Sequence, residues 1–139
     1  MNKVIHSLPE EPTDENIQKV MEKYRITGAG FSETGFRPNN EVIRFIHNNF
    51  NFLFQERTKF AVGSYSAKHY VEHFRKFMGQ KDGYVSNGEL IIALILSGIP
   101  FKTDGSLNCV FKCSYRDEIT YLIHNSGKLK NRYFSNENL

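Results

Sequence analysis

One stretch of this chain, residues 90–96, is apolar at every position. Ser86 and Glu89 precede it and match the S-x-x-E capping box, in which each side chain accepts a hydrogen bond from a backbone N–H at a helix start. Gly98 and Pro100 follow it and are typical of a helix end. A helix without a polar side has to be buried, and this run is far shorter than the roughly 18–20 residues that span a bilayer. The sequence therefore predicts a helix at the centre of the fold, surrounded by the other elements.

The rest of the chain alternates between amphipathic helical patterns and segments rich in Gly or Pro. With 139 residues, of which 40% are apolar, it has material for one packed core. The spacing of apolar residues predicts a helix after Thr13, a helix from Asn39 or Asn40 to Leu53, helices over 66–78 and 114–125, and a β-hairpin over 101–113. Glycines and a proline predict a loop or an irregular extended segment over roughly 26–38. We therefore expect a flexible N-terminal lead over residues 1–12, a compact, mainly helical α+β domain over 13–127, and a basic tail over 128–139.

The cysteines, Cys109 and Cys113, indicate a reducing compartment. On a single extended strand their Cα atoms would lie about 13 Å apart, at roughly 3.3 Å per residue, whereas a disulfide allows at most about 7 Å. The first residues lack the apolar segment of a secretory signal. The formal net charge of +3 is too small to indicate a membrane or nucleic-acid partner by itself. The sequence thus predicts an intracellular protein with reduced thiols and no membrane association.

His69, Glu72 and His73 form an H-x-x-E-H pattern on the predicted third helix. This pattern resembles the zinc-binding helix of the inverzincin metallopeptidases. The resemblance implies that both histidines bind zinc and that Glu72 acts as the general base of a small zinc-dependent hydrolase. Such a site needs an acidic third ligand, for which Glu89 and Glu118 are available. Because the resemblance covers five residues only, we favour a polar helix face that carries two histidines, and we keep the hydrolase as an alternative.

The segment 74–90 resembles an EF-hand, with Gly83 at the sixth and Glu89 at the twelfth loop position. Met78 and Gln80 occupy the first and third positions, where calcium-binding carboxylates are expected. A glycine turn followed by a capped helix start explains the same residues. The sequence therefore predicts no cofactor.

A longer pattern reads S-Y-x-x-K-H-x-x-E followed by Y-V-S-N-G. It consists of Ser64, Tyr65, Lys68, His69, Glu72 and residues 84–88. It resembles a pattern in small uncharacterised proteins of phages, mobile elements and large DNA viruses. The resemblance implies a viral or mobile-element origin and brings no known activity with it.

Five phenylalanines fall between residues 45 and 60, which is more than one helical face accommodates. Some of them are therefore expected at the surface as a contact patch. The candidate contact residues are Phe50, Phe52 and Phe54. The sequence favours a non-enzymatic binding or structural protein, encoded by a virus or mobile element, that docks onto a protein partner or self-associates.

An uneven distribution of charge makes nucleic-acid binding a further alternative. Residues 59–139 carry 11 basic and 7 acidic side chains. The candidate phosphate contacts are Lys112, Arg116, Lys128, Lys130 and Arg132. The order helix, turn, helix and hairpin is that of a winged helix, but the second helix is apolar and has no polar face for the major groove. Binding would therefore depend on the basic residues and not on that helix.

Overall fold

The computed structural model describes residues 3–31, 37–103 and 105–125. Its helices are α1 (Asp14–Tyr24), α2 (Asn40–Asn48), α3 (Phe50–Leu53), α4 (Ser64–Phe77), α5 (Asn87–Leu96) and α6 (Asp117–His124). Its strands are β1 (Lys3–Ile5), β2 (Ile26–Thr27), β3 (Gly30–Phe31), β4 (Phe54–Glu56), β5 (Val62–Gly63), β6 (Phe101–Thr103), β7 (Cys109–Phe111) and β8 (Cys113–Tyr115). Helices and short antiparallel strands share one core, which confirms the predicted compact α+β class.

The apolar helix predicted from residues 90–96 is α5, and every residue from 87 to 96 is buried. The capping box is present: Ser86 Oγ accepts the Glu89 N–H at 3.1 Å and Glu89 Oε1 accepts the Ser86 N–H at 3.0 Å. Helices α1, α2 and α4 pack around α5. Among the described residues, no helix combines the length and the apolar character needed to cross a membrane.

Helices α1 and α2 begin where the sequence predicts. Thr13 caps α1 by accepting the Asn16 N–H, and Asn39 caps α2 by accepting the Glu41 N–H. Their inward residues are the ones expected from helical spacing: Ile17, Val20 and Met21 on α1, and Val42, Ile43 and Ile46 on α2. The amphipathic pattern of both helices is thus explained by packing on α5.

The predicted second helix is interrupted at Asn49. The Asn49 side chain donates to the Phe45 carbonyl at 2.8 Å, and the short helix α3 starts at the next residue. The chain then leaves α3 directly into β4, whose partner is β8. This change of direction reorients the aromatic residues that follow Asn49.

A four-stranded antiparallel sheet, with the order β1-β6-β7-β5, covers one side of the core. Strands β6 and β7 form the predicted hairpin, in register Phe101↔Phe111 and Lys102↔Val110. Phe101 and Phe111 are buried, and their neighbour Val110 is exposed on the other face of the sheet. Because side chains alternate between the two faces of a strand, Lys102 shares that outer face with Val110.

The structure corrects the prediction of a flexible lead over residues 1–12. Residues 3–5 form β1, which pairs with β6. Ser7 Oγ then donates to the Ile95 carbonyl at 2.9 Å, and the Glu10 N–H donates to the Leu96 carbonyl at 2.9 Å. The partners of this segment lie far away in sequence, so its local composition, with two prolines around an acidic pair, gave no indication of them.

The cysteines do not lie on one strand as the sequence suggested. Cys109 begins β7 and Cys113 begins β8, with a bend at Lys112 between the two strands. The last helix, α6, consequently starts at Asp117 and not at Ser114, because residues 113–115 pair with β4. Both thiols are free and buried.

Residues 26–31, predicted as part of a loop or an irregular extended segment, form the short antiparallel pair β2–β3. The start of α5 approaches this pair very closely. A Cβ atom built on Gly88 would lie 1.8 Å from the Thr27 carbonyl oxygen, so only glycine fits there. Asn87 adds hydrogen bonds from its side-chain amide to the Ala29 carbonyl at 2.9 Å and to Asn108 Oδ1 at 2.8 Å.

Candidate functional site

Of the three candidate contact phenylalanines, the structure leaves one at the surface. Phe50 and Phe54 are buried and stack with their ring centroids 5.4 Å apart, which corrects their assignment to an exposed patch. Phe52 is 53% exposed. The break at Asn49 is the reason, because it starts the short helix α3. Phe50 and Leu53 on α3 and Phe54 on β4 point inward, whereas Phe52 points outward.

Phe52 belongs to an apolar surface formed by α3 and the C-terminal end of α4. Its ring lies 5.6 Å from that of Phe74, which is buried beneath it. Phe77 and Met78 lie three and four positions beyond Phe74 and so occupy the adjacent turn of the same face. Both are exposed, Met78 by 60%. We call Phe52, Phe77 and Met78 the Phe52 patch.

Basic side chains accompany this patch. The Arg75 guanidinium lies 5.6 Å from the ring centroid of Phe45, which in turn contacts Phe74. Arg75 also donates to the Tyr84 carbonyl at 2.9 Å, which fixes its position. Lys76 follows it in the last turn of α4 and is exposed. An exposed apolar surface with aromatic, methionine and arginine residues has the composition of a protein-contact site.

In the H-x-x-E-H pattern, the glutamate is engaged by its neighbours. Glu72 Oε1 lies 2.9 Å from His69 Nδ1, Lys68 Nζ lies 3.3 Å from both carboxylate oxygens, and the Val85 N–H donates to Oε2 at 3.0 Å. Burial disfavours the charged form, but the Val85 N–H and the charges of Lys68 and His69 outweigh it and lower the pKa of Glu72. Glu72 thus connects α4 to the segment before α5.

His73 lies on the exposed side of the same helix. Within the described residues, no three His, Cys, Asp or Glu side chains are close enough together to hold a metal ion. The structure therefore brings His69 and Glu72 together as a hydrogen-bonded pair and adds no acidic third ligand to the two histidines.

Both oxygens of Glu89, the twelfth residue of the EF-hand-like loop, accept backbone hydrogen bonds. Oε1 accepts the Ser86 N–H, and Oε2 accepts the Asn39 N–H at 2.6 Å, which links the start of α5 to the start of α2. Asp82 in the same loop accepts the Tyr84 N–H at 3.0 Å. These carboxylates are explained by the caps and turns that they stabilise.

The longer S-Y-x-x-K-H-x-x-E and Y-V-S-N-G pattern comes together in space. Lys68 Nζ lies 5.4 Å from the ring centroid of Tyr65 and 5.7 Å from that of Tyr84, and both tyrosines are exposed. The other members form hydrogen bonds within the fold. Ser64 Oγ, for example, accepts the Cys109 N–H at 3.2 Å. The pattern therefore describes how α4, α5 and the hairpin are joined.

Burial makes both cysteines unreactive. Removal from water raises the pKa of the Cys109 thiol strongly and that of the Cys113 thiol to about 12. The nucleophilic thiolate is therefore scarce at neutral pH. We assign both cysteines to core packing.

Among the candidate phosphate contacts, Lys112 and Arg116 have different environments. Arg116 connects α6 to α3, since its Nε donates to the Asn51 carbonyl at 3.1 Å. Lys112 Nζ lies 5.6 Å from the ring centroid of Phe60, and Lys102 Nζ lies 4.6 Å from the same centroid. Lys102 was missed at the level of sequence, although the alternation of the predicted hairpin could have placed it on the outer face. Lys128, Lys130 and Arg132 lie outside the described residues.

Comparison with known proteins found no matching family model, no matching curated protein and no matching solved structure.

Proposed function

We propose that this chain is a non-enzymatic binding protein that acts through a protein contact at the Phe52 patch. The observation that supports the proposal is the exposed ring of Phe52 above the buried ring of Phe74, next to the exposed side chains of Phe77 and Met78. Large apolar groups held in place by a packed layer beneath them lose little conformational entropy on binding. Aromatic groups in such positions are enriched among the residues that dominate binding energy.

The state of the candidate catalytic groups supports a non-enzymatic role. The carboxylates of Glu72 and Glu89 are taken up by hydrogen bonds that join elements of the fold. The thiols are buried, and the pKa of each is raised. Each of these groups has a structural task that accounts for its position.

The charge around the patch indicates the chemistry of the partner. Arg75 and Lys76 lie in the last turn of α4, beside Phe77 and Met78. In a symmetric pair of copies, this basic patch would meet a second copy of itself, and its like charges would oppose association. We therefore favour a different protein that presents an apolar segment flanked by acidic residues.

The proposal includes an intracellular site of action and a viral or mobile-element origin. The free, buried thiols support a reducing compartment. The shared S-Y-x-x-K-H-x-x-E and Y-V-S-N-G pattern supports the origin.

A displayed library of helical peptides, selected against the full chain, tests the contact. We expect the enriched peptides to combine apolar with acidic residues. Their affinity should fall about tenfold or more for Phe52→Ser and for Met78→Ser, as expected for residues at the centre of an interface. Leu107→Ser, an equally exposed apolar position in the hairpin loop, is the matched control and should leave the affinity unchanged.

Three results would contradict the proposal. Peptides that bind Phe52→Ser with the same affinity as the wild type would show that the contact lies elsewhere. The absence of enriched peptides would argue against a docking surface. A dimer that sedimentation detects in the wild type and not in Phe52→Ser would assign the patch to self-association.

A further inference from the structure

The outer face of the four-stranded sheet holds two lysines against one aromatic ring. Lys102 Nζ lies 4.6 Å and Lys112 Nζ lies 5.6 Å from the ring centroid of Phe60, so the two nitrogens are at most 10.2 Å apart. Two like charges at this separation repel each other, and the electron-rich face of the ring holds them in place. We call Phe60, Lys102 and Lys112 the Phe60 cluster.

The fold fixes the position of each member. The Ala61 N–H donates to the Phe111 carbonyl at 3.0 Å, which ties the residue after Phe60 to β7. The Lys112 N–H donates to the Pro100 carbonyl at 2.9 Å, and Lys102 is held in register between β1 and β7. Lys102 is therefore fixed within the sheet, and Phe60 and Lys112 lie next to residues whose backbone is hydrogen-bonded to it.

Basic side chains outnumber acidic ones among the described residues in and beside the cluster. Arg57 and Lys59, in the segment that leads to Phe60, are exposed as well. Glu56 is the acidic residue next to them in the chain. No carboxylate of the described residues forms an ion pair with Lys102 or Lys112. Such an arrangement is stabilised by an anionic ligand that meets both ammonium groups at once.

A hollow of about 400 Å³ lies beside the cluster. Lys102 forms one wall, and Ser66, Thr103 and Asn108 provide hydroxyl and amide groups around it. Tyr65, at its border, is exposed. Hydroxyl, amide and ammonium groups together are the groups that proteins use to contact phosphate and sugar.

We infer that the Phe60 cluster binds the phosphodiester backbone of single-stranded nucleic acid. A polyanion whose charges repeat along the strand can contact both ammonium groups, which lie at most 10.2 Å apart, and can extend beyond them along the surface. The outer face of a sheet is a platform that single strands use in several folds. The apolar helix α5, which occupies the position of a winged-helix recognition helix, is buried and cannot enter a duplex groove. This inference does not depend on the protein contact at the Phe52 patch.

Fluorescence anisotropy with labelled thymidine and uridine homopolymers tests the inference on the full chain. The logarithm of affinity should fall linearly with the logarithm of salt concentration between about 50 and 200 mM. The double variant Lys102→Gln/Lys112→Gln should reduce the slope by about 1.4, since each single-strand phosphate contact contributes about 0.7. Lys19→Gln/Lys23→Gln makes the same change in net charge on α1 and should leave the slope unchanged.

Two further variants separate the cluster from other basic residues. Phe60→Leu keeps both lysines and removes the ring, and we expect it to weaken binding several-fold with unchanged thermal unfolding. The triple variant Lys128→Gln/Lys130→Gln/Arg132→Gln should retain the part of the salt dependence, a slope of about 1.4, that Lys102 and Lys112 contribute. The inference is wrong if the triple variant alone abolishes binding, if the α1 control loses as much as the cluster variant, or if a duplex binds more tightly than the single strands.

Discussion

The ionised carboxylate of Glu72 holds the backbone of Val85 and the side chains of Lys68 and His69 at neutral pH. Its side chain is 13% exposed, so water replaces these partners poorly. The pKa of Glu72 is lowered in the folded chain, which means that folding favours the ionised form. This contribution to stability depends on pH and can be measured.

We expect Glu72→Gln to lower the free energy of unfolding at pH 7 by about 1–3 kcal/mol, because the amide loses the charge that binds its donors. Since the folded-state pKa lies below the ordinary value of 4.5, the wild-type stabilisation is present above that pH. It is lost as the pH falls through the folded-state pKa. Urea unfolding should show a large difference between the two proteins at pH 7 and a progressively smaller one as the pH is lowered below 4.5.

The exposed Glu22→Gln on α1 serves as the control for this measurement, with an expected change below about 0.5 kcal/mol. A Glu72→Gln effect that does not change with pH would mean that the charge of Glu72 contributes nothing to stability.

The three phenylalanines of the predicted contact patch show where reasoning from single residues fails. The number of phenylalanines between residues 45 and 60 correctly indicated that one helix face could not accommodate all of them. It could not distinguish Phe52 from Phe50 and Phe54, because the distinction depends on the break at Asn49 and on the pairing of β4 with β8. Exposure was decided by tertiary contacts that the local sequence does not contain.

Elements whose signals are local were predicted well, and elements that depend on distant partners were not. The capping box of α5 and the hairpin β6–β7 are each specified by residues close together in the chain. Strands β1, β4 and β8 have three residues each and pair with remote segments. Strands β6 and β7 are equally short, but a turn joins them directly, whereas no neighbouring partner strand marks β1, β4 and β8 in the sequence.

The contact between α5 and β2 gives a prediction at the level of elements. Gly88→Ala should lower the free energy of unfolding by about 3 kcal/mol or more, because the added methyl group overlaps the Thr27 carbonyl and forces α5 away from β2. Gly63→Ala is the matched control: its Cβ meets nothing within 4 Å and its φ is −73°. Chemical denaturation should show a change below about 1 kcal/mol for that variant.

If Gly88→Ala proved as stable as Gly63→Ala, the close approach of α5 to β2 would not exist in solution.

At the scale of the molecule, the resemblances to metal sites lead to a prediction about bound metal. We expect elemental analysis of protein purified without a chelator or a His-tag to find far less than one zinc and one calcium per chain. Glu72 and Glu89 are committed to hydrogen bonds between elements, and Met78 and Gln80 supply no carboxylates. About one zinc per chain, lost on His69→Ala or His73→Ala, would instead support the hydrolase alternative. About one calcium would support the loop over 78–89.

The pairing of β1 with β6 has a consequence for the order in which the protein can fold during synthesis. Strand β1 is synthesised well before its partner, since Lys3 pairs in register with Thr103 and Ser7 donates to a carbonyl 88 positions later. Until then, the apolar residues of the nascent chain have no sheet to cover them. During synthesis from the N-terminus, the four-stranded sheet can therefore close over the core only after β6 and β7 have been made.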